Sequence, residues 1–299
     1  METSTPWKCL AVIAGLALGG RPASADPKFE FGKQEEVKEV EWKASAEAGL
    51  VITTGSSQTI TLSGGFKASR KENDNKFSAE ASAAYARSGT RVLVDNNANG
   101  MIDNDDEIRT TTQVTAETLA GKLRYDRFLT GANSLFVAAL ASRDLPAGKS
   151  SVFGGQLGYS RRLYKTDATE AVAELGYDFS REQLVDSDAV SIHSIRAFTG
   201  VKSKVTEGTD IDASIELLTN LNKETLPTGK DGSAFRDTRV NGKLAVTSKL
   251  STSLSVQASI EAKFDNRPGP LALKLLADGF VPEAPSLDTL MKASLIYAF

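Results

Sequence analysis

The chain ends on the stretch TLMKASLIYAF, residues 289–299. Side chains alternate between the two faces of a β-strand, so an extended segment here has one apolar face and one mixed face. The apolar face carries Met291, Ala293, Leu295, Tyr297 and Phe299, and the mixed face carries Lys292 and Ser294. The strand that closes a membrane barrel commonly ends in this way, because its last aromatic residue lies in an interfacial girdle. An ordinary core strand at the end of the chain is the alternative.

Composition narrows the class of protein before any motif is considered. The 299 residues suffice for one large barrel or two modest domains. A net charge of −3 gives no sign of a nucleic-acid partner. The single cysteine, Cys9, rules out a structural disulfide, and the single histidine, His193, rules out a zinc site built from several histidines. The negative mean hydropathy excludes a helical membrane protein but is compatible with a barrel, whose lumen and loops are polar.

The N-terminal residues 1–25 have the features of a secretory signal peptide. Small and apolar residues run from Cys9 to Gly20, and Ala23–Ala25 supplies a cleavage site of the A-x-A type. An uncleaved anchor is the alternative, but about a dozen apolar residues are too short to span a bilayer comfortably. The charged residues 26–41 that follow are predicted to form a periplasmic N-terminal segment without an assigned function.

A two-residue period of apolar and polar side chains recurs from Trp42 to the end of the chain. The clearest segments are 43–52, 58–68, 76–86, 113–128, 151–162, 169–181, 208–218 and 251–264; the segments 134–143, 189–201 and 234–248 alternate less cleanly. These segments are longer than the roughly five to six residues of an ordinary strand and match the about nine to eleven that cross a bilayer. The sequence therefore predicts an all-β protein, an antiparallel up-and-down transmembrane β-barrel of about 12 strands over residues 42–299.

The connections between these segments alternate in length, which indicates the orientation of the barrel. Short inner turns are predicted near 71–75, 130–133, 165–168, 207–209 and 250–252. Outer loops are predicted near 53–57, 88–112, 145–150, 182–188, 222–233 and 266–288, and all but the first are longer. Short turns on the periplasmic side and long loops outside are the asymmetry of bacterial outer-membrane barrels.

Charged and polar side chains of the alternating segments are predicted to face the lumen. This set comprises Glu47, Glu80, Lys122, Arg124, Asp126, Gln156, Glu174, Asp178, Asp212, Glu216, Glu261 and Lys263. Because both signs are interspersed in a narrow barrel, they can cross-link the interior and leave little water. They can also line a small pore, whose charge selectivity would be weak.

Short motifs along the chain resemble a known family. These are Trp42 with Thr54-Gly55-Ser56-Ser57, Leu123-Arg124-Tyr125-Asp126, and Glu174-Leu175-Gly176-Tyr177. Together they resemble the salt-induced outer-membrane proteins of domain-of-unknown-function family 481 over about residues 42–299, although Ser56 replaces the usual Asn and 88–112 resembles an insertion. The resemblance implies an outer-membrane barrel of a Gram-negative bacterium, with outer-membrane lipids as partners and no established chemistry. Lys292, Ser294, Tyr297 and Phe299 resemble the C-terminal signal recognised by the outer-membrane assembly machinery, a second expected partner.

The predicted insertion contains a stretch with the spacing of an EF-hand loop. Oxygen ligands at alternate positions, a glycine for the sharp turn and a closing carboxylate are what Ca²⁺ binding needs. The predicted metal ligands are Asp95, Asn97, Asn99, Met101 through its carbonyl, Asp103 and Asp106, with Gly100 at the turn. A polar hairpin tip at Asn99-Gly100 is the alternative. We expect weak, structural Ca²⁺ binding in the range of about 10⁻⁴–10⁻³ M given for extracellular modules.

The remaining functional alternatives are an enzyme and a soluble protein. A lipid-modifying barrel enzyme would need a serine–histidine pair, and only His193 is available, with Ser191 and Ser194 nearby. Serine is so abundant that this proximity is expected by chance. A secreted soluble calcium-binding β-protein would also show alternating strands. We therefore predict a non-enzymatic outer-membrane barrel, structural or a small passive pore, with no catalytic residues and no cofactor other than the possible Ca²⁺.

Overall fold

The computed structural model describes residues 40–53, 58–93, 96, 108–145, 149–184, 188–225, 231–268 and 285–298. The predicted signal peptide, nearly all of the N-terminal segment, the six predicted calcium ligands and Phe299 lie outside these ranges. Within them, every regular element is a strand. No helix in this part of the chain is long and apolar enough to cross a membrane.

Twelve antiparallel strands form one closed barrel in which sequence neighbours pair. The strands are β1 (Glu41–Thr53), β2 (Gln58–Glu72), β3 (Asn75–Leu93), β4 (Ile108–Thr130), β5 (Asn133–Asp144), β6 (Lys149–Lys165), β7 (Thr169–Leu184), β8 (Ala189–Thr206), β9 (Thr209–Asn220), β12 (Thr238–Lys249), β13 (Leu254–Asp265) and β14 (Leu287–Ala298). A separate two-stranded hairpin, β10 (Glu224–Thr225) with β11 (Asp231–Gly232), lies in the connection between β9 and β12. The predicted all-β class, the up-and-down topology and the strand number are confirmed.

All five predicted short turns lie at one end of the barrel, which we call the turn side. They occupy 73–74, 131–132, 166–168, 207–208 and 250–253. In the two-residue turn 73–74, Asn73 has a φ of 50°, a left-handed conformation that asparagine tolerates better than most residues. The other six connections, each of four residues or more, join the strands at the opposite end, which we call the loop side.

The long hairpin of β3 and β4 differs from the prediction. A loop over 88–112 was expected, but β3 continues to Leu93 and β4 begins at Ile108, with these two residues paired. The arms contain β-branched Thr and Val residues that favour extended backbone and pair in register. The insertion is therefore partly an extension of the sheet.

The two faces of the barrel wall differ as the alternation predicts. Large apolar side chains point outward and are exposed, for example Leu175 at 62 % and Met291 at 73 %. Polar and charged side chains point inward and are buried, among them Lys122, Asp126 and Glu174. This arrangement is inverted relative to a soluble protein, in which exposed apolar surface is kept in small patches.

The pairing between the first and last strands closes the barrel and is short. It runs from the pair Ser45–Ala298 to the pair Ala48–Leu295, whereas β1 pairs with β2 along its whole length. Inside the lumen, Lys292 Nζ donates to Glu47 Oε1 at 2.6 Å across this seam.

Candidate functional site

Five charged side chains meet inside the barrel and form a continuous network, which we call the belt. Its members are Arg124 and Asp126 on β4, Glu174 on β7, Arg196 on β8 and Glu216 on β9. These strands bring the side chains together because every belt residue occupies an inward position of its strand. The belt therefore crosses the lumen from one wall to another.

Arg124 is held by carboxylates on two sides. Its Nε donates to both carboxylate oxygens of Asp126 at 3.0 Å, and its Nη2 donates to Asp126 Oδ1 and to Glu174 Oε1 at 2.7 Å. Its Nη1 donates to Glu174 Oε2 at 3.2 Å. The contact with Glu174 is thus bidentate, the strong geometry for an arginine–carboxylate pair.

Arg196 extends the belt toward β9 and β12. Its Nη1 donates to Glu174 Oε2 at 2.8 Å and its Nε donates to Glu216 Oε1 at 2.5 Å. Asn241 Nδ2 donates to the other Glu216 oxygen at 3.0 Å. Glu174 therefore bridges two guanidinium groups, and each charge of the belt has a partner of opposite sign.

An aromatic ring lies beside the two guanidinium groups. The Arg124 Cζ atom lies 4.1 Å from the ring centroid of Phe136, and Arg196 Cζ lies 5.7 Å from the same centroid. A Cβ atom at Gly158 would come within 2.9 Å of Phe136 Cε1, so the glycine leaves the space that the ring occupies. Cation–π attraction thus adds to the ion pairs in fixing both arginines.

The belt is almost fully buried, and only Glu216, at 18 %, has appreciable side-chain exposure. The side chains of Arg124, Asp126, Glu174 and Arg196 are exposed by 3 % or less. Lys122, next to Arg124 on β4, is also buried, as are the lumen-facing residues Lys71, Glu80, Glu261 and Ser294 on β2, β3, β13 and β14. Side chains therefore occupy most of the lumen at the level of the belt.

A cavity of about 220 Å³, the loop-side chamber, lies between the belt and the loop side. Its wall includes Gln156, Asp178, Glu182, Glu216 and Arg239. Glu182 is clamped by two cations: Lys149 Nζ lies 2.9 Å from Oε2, and Arg239 Nη1 donates to Oε1 at 3.1 Å.

Three wall groups of the chamber have unused hydrogen-bonding capacity. Gln156 Nε2 donates to Asp178 Oδ1 at 2.8 Å, but Gln156 Oε1 is buried without a hydrogen-bond partner among the described residues. Asp178 makes no ion pair within that part of the chain. Arg239 Nη2 likewise lacks a partner there. The chamber thus presents an acceptor, a carboxylate and a donor.

Asp237 lies at the loop-side rim, outside the membrane-spanning strands. It is only 4 % exposed, and its Oδ2 is 3.9 Å from Arg239 Nε. Burial raises the pKa of this carboxyl to about 6; the nearby Arg239 charge opposes the shift, and the charges of Asp265 and Glu182 reinforce it. Asp237 is therefore a rim carboxyl whose pKa lies close to neutrality.

The structure places the predicted lumen residues on the inward face. Eight of the twelve are buried: Glu80, Lys122, Arg124, Asp126, Gln156, Glu174, Asp178 and Glu261. Four further residues belong to or contact the belt or the chamber wall but are not among the predicted lumen residues: Phe136, Lys149, Arg196 and Arg239. The even-numbered residues of segment 189–201 face inward, so the alternation could have placed Arg196 in the lumen. Apolar residues on both faces of this segment made the alternation hard to recognise.

The only histidine lies on the outward face of β8, not in the lumen. His193 Nδ1 is hydrogen-bonded to the Tyr177 hydroxyl, and its ring is tilted against Phe179 with centroids 5.0 Å apart. In the described structure the Ser191 hydroxyl makes no hydrogen bond to this ring, and Ser194 faces the lumen with no exposed surface. The described residues also contain no group of three or more His, Cys, Asp or Glu side chains arranged for a metal.

Comparison with known proteins gives one family and a set of distant structures. A family model described as a protein of unknown function, DUF481, matches residues 46–299. The chain is similar to the NanC porin (12 % identity, 85 % of this chain and 98 % of that chain, TM-score 0.45). It is similar to OmpT, an outer membrane protein of Vibrio cholerae (11 %, 87 % and 99 %, TM-score 0.38), and to the translocator domain of the autotransporter NalP from Neisseria meningitidis (11 %, 89 % and 90 %, TM-score 0.40). The comparison with curated proteins gave no match.

Proposed function

The chain belongs to the DUF481 family of proteins of unknown function, and we propose that it is a non-enzymatic outer-membrane barrel of a Gram-negative bacterium whose lumen is closed by the belt. The observation that carries this proposal is the burial of the belt, whose central carboxylate, Glu174, has no exposed side-chain surface. A passive pore needs a continuous water path. The protein acts as a structural barrel rather than as a pore.

Placement in a membrane is supported by the outward surface. Lipid contact accounts for an exposed apolar band, which in water would cause association. At the turn side, Trp42, Tyr125 and Tyr159 point outward, with Arg70 Cζ 5.9 Å from the Trp42 ring. Amphipathic aromatic side chains favour the boundary between hydrocarbon and headgroups. Outer-membrane lipids are the partners of this surface, the assembly machinery inserts the barrel, and residues 1–25 are removed on export.

Planar-bilayer conductance of the purified, refolded protein tests the closed lumen. We expect the wild type to be silent. A triple variant of the belt, Arg124→Ser/Glu174→Ser/Arg196→Ser, removes the side chains that fill the lumen and is expected to show conductance steps. The control is Glu117→Ser/Arg127→Ser/Arg161→Ser, which removes the same residue types from outward positions and should stay silent.

Heat-modifiable gel mobility establishes that each variant is folded before it is measured. Steps of stable size from the wild type overturn the closed-lumen proposal whatever the variants do. A folded belt variant that stays silent shows that the belt is not the barrier, which contradicts the proposal equally.

Calcium binding by the β3–β4 connection is proposed on the spacing of Asp95, Asn97, Asn99, Met101, Asp103 and Asp106. The neighbouring Asn96, which is not one of these ligands, accepts a hydrogen bond from Arg109 Nη2 at 2.9 Å and is thereby tied to β4. The ion would stiffen an external connection. Calorimetric titration with CaCl₂ should give weak binding to the wild type and none to Asp95→Ala, and flat traces for both contradict the proposal.

A further inference from the structure

The loop-side chamber has polar wall groups that the fold itself does not use. Gln156 is 5 % exposed, and its Oε1 has no hydrogen-bond partner among the described residues. A buried polar atom left without a partner costs roughly 1–3 kcal/mol. The burial of this oxygen beside a cavity therefore points to an occupant that donates a hydrogen bond.

Asp178 adds a negative charge next to that oxygen. It is 8 % exposed, it receives a hydrogen bond from Gln156, and it forms no direct ion pair with a described residue, although the charges of Arg239 and Arg196 act on it from a longer distance. A buried carboxylate without a direct ion pair is unfavourable unless a closer opposite charge compensates it. An ammonium group on the ligand can compensate the Asp178 charge and also donate to Gln156 Oε1.

Arg239 supplies a donor on the facing wall. Its Nη1 is used by Glu182 and its Nε faces Asp237, which leaves Nη2 for a ligand oxygen. Because the guanidinium charge is already shared between two carboxylates, it is poorly suited to binding a full anionic charge. A hydroxyl or ether oxygen is the better partner for Nη2.

The remaining wall groups agree with this assignment. Acidic residues outnumber basic residues in the wall. The acidic residues are Asp144, Asp178, Glu182, Glu216, Asp265 and Asp288, and the basic residues are Arg143, Lys149, Arg239 and Lys263. The volume of about 220 Å³ is below the roughly 300–1,000 Å³ of drug-sized sites. The ligand is consequently small and is not an anion.

We propose that the loop-side chamber binds a monosaccharide-sized solute that carries an ammonium group, with the ammonium at Asp178 and Gln156 and a hydroxyl at Arg239. This binding function goes beyond the proposed structural role. It depends on the chamber wall and not on whether the lumen conducts.

Three sugars of nearly equal shape and different charge test the proposal. Glucosamine, glucose and glucuronate are titrated separately into the full refolded barrel in detergent, by calorimetry, at a pH where the amine is protonated. We expect glucosamine to bind at least about tenfold more tightly than glucose, a difference of about 1.4 kcal/mol, and glucuronate not to bind. No heat with glucosamine, equal affinity for glucose, or tighter binding of glucuronate each overturn the proposal.

Two chamber variants and one control locate the site. Asp178→Asn removes the charge, and Gln156→Met removes the free oxygen at similar length; each should weaken glucosamine binding by about tenfold or more. The matched control, Asp212→Asn, changes a lumen-facing aspartate on the turn side of the belt and should bind like the wild type. If both folded chamber variants bind as the wild type does, the site is not this chamber. Conductance measured on the same samples reports on the closed lumen separately.

Discussion

At the scale of single residues, Glu174 has the most consequential position in the belt, because its carboxylate pairs with both Arg124 and Arg196. Removing one partner of a buried ion pair leaves the other charge uncompensated, which costs more than the pair itself contributes. The stability of each buried charge in the belt therefore depends on the neighbouring charges of opposite sign. Its energetic role is better tested by deleting its central member than a peripheral one.

Glu174→Gln keeps the shape of the side chain but removes the charge that the two arginines share. We expect the free energy of unfolding to fall by about 3–5 kcal/mol, measured by urea unfolding of the protein in lipid vesicles. The control is Glu117→Gln, which alters an exposed pair with Arg143 at 3.5 Å and should change stability by less than about 1 kcal/mol. Equal effects of the two substitutions would show that burial does not set the energetics of the belt.

Asp237 provides a pH-dependent contribution to stability. Its pKa of about 6 in the folded barrel lies above the value of about 3.9 for an unfolded chain. Between these values the folded protein holds a proton that the unfolded chain has lost, so stability decreases as the pH rises from about 4 to about 6. The expected loss is about 1–3 kcal/mol, and Asp237→Asn should flatten this part of the stability–pH curve. A variant curve parallel to that of the wild type would assign the slope to another group.

At the scale of the elements, each barrel strand presents a largely apolar face outward and a largely polar face to the lumen. The turn-side end of the outward face is anchored by a repeated contact. Tyr125 and Tyr159 donate their hydroxyl hydrogens to Asn75 Oδ1 at 2.6 Å and Asn133 Oδ1 at 2.5 Å, respectively, and each asparagine begins the neighbouring strand. These contacts hold the aromatic girdle to the turns.

Two leucines on the outward face of β6 allow the membrane position to be tested on one strand. Leu157 is 57 % exposed near the middle of the strand, and Leu163 is 60 % exposed close to the turn. Leu157→Arg should cost about 2–4 kcal/mol, because arginine would lie near the bilayer midplane, and Leu163→Arg about 0–1 kcal/mol. Refolding titrations into lipid vesicles measure both values, and similar costs would contradict the proposed position of the bilayer.

The strands and turns could be predicted from the sequence because a two-residue period and short turn signals are local properties. The segment 134–143 was unclear because Phe136 is apolar yet faces inward, where it lies beside Arg124 rather than against lipid. The same reason applies to 189–201, where Phe198 lies 5.2 Å from Arg196. The pairing of charges within the belt could not be predicted, because it depends on how the strands from β4 to β9 are staggered around the closed barrel.

At the scale of the whole molecule, the barrel is closed by one short seam, the pairing of the first strand, β1, with the last strand, β14. Its in-register pairs can be tested by cross-linking, since the only native cysteine lies in the predicted signal peptide. Ala48→Cys/Leu295→Cys places two thiols at directly paired outward positions. Facing residues in antiparallel strands lie close enough for a disulfide.

We expect oxidation to form this disulfide in the folded barrel and to raise its resistance to unfolding on heating. Ala48→Cys/Met291→Cys is the control, because these positions are out of register and should remain reduced. Gel mobility with and without reductant measures both variants. Cross-linking of the control pair at the same rate would indicate that the seam has a different register.

The short seam also determines when the molecule can finish folding. Lys292 and Glu47 are separated by 245 positions in the chain, so this contact cannot form until the chain has been synthesised at least as far as Lys292. Contacts of such long sequence separation form slowly, because the loop-closure entropy is lost before the contact is gained. Until then both β1 and β14 are open edges, which favour aggregation. We therefore expect the unclosed chain to be prone to association through these edges until β14 pairs with β1.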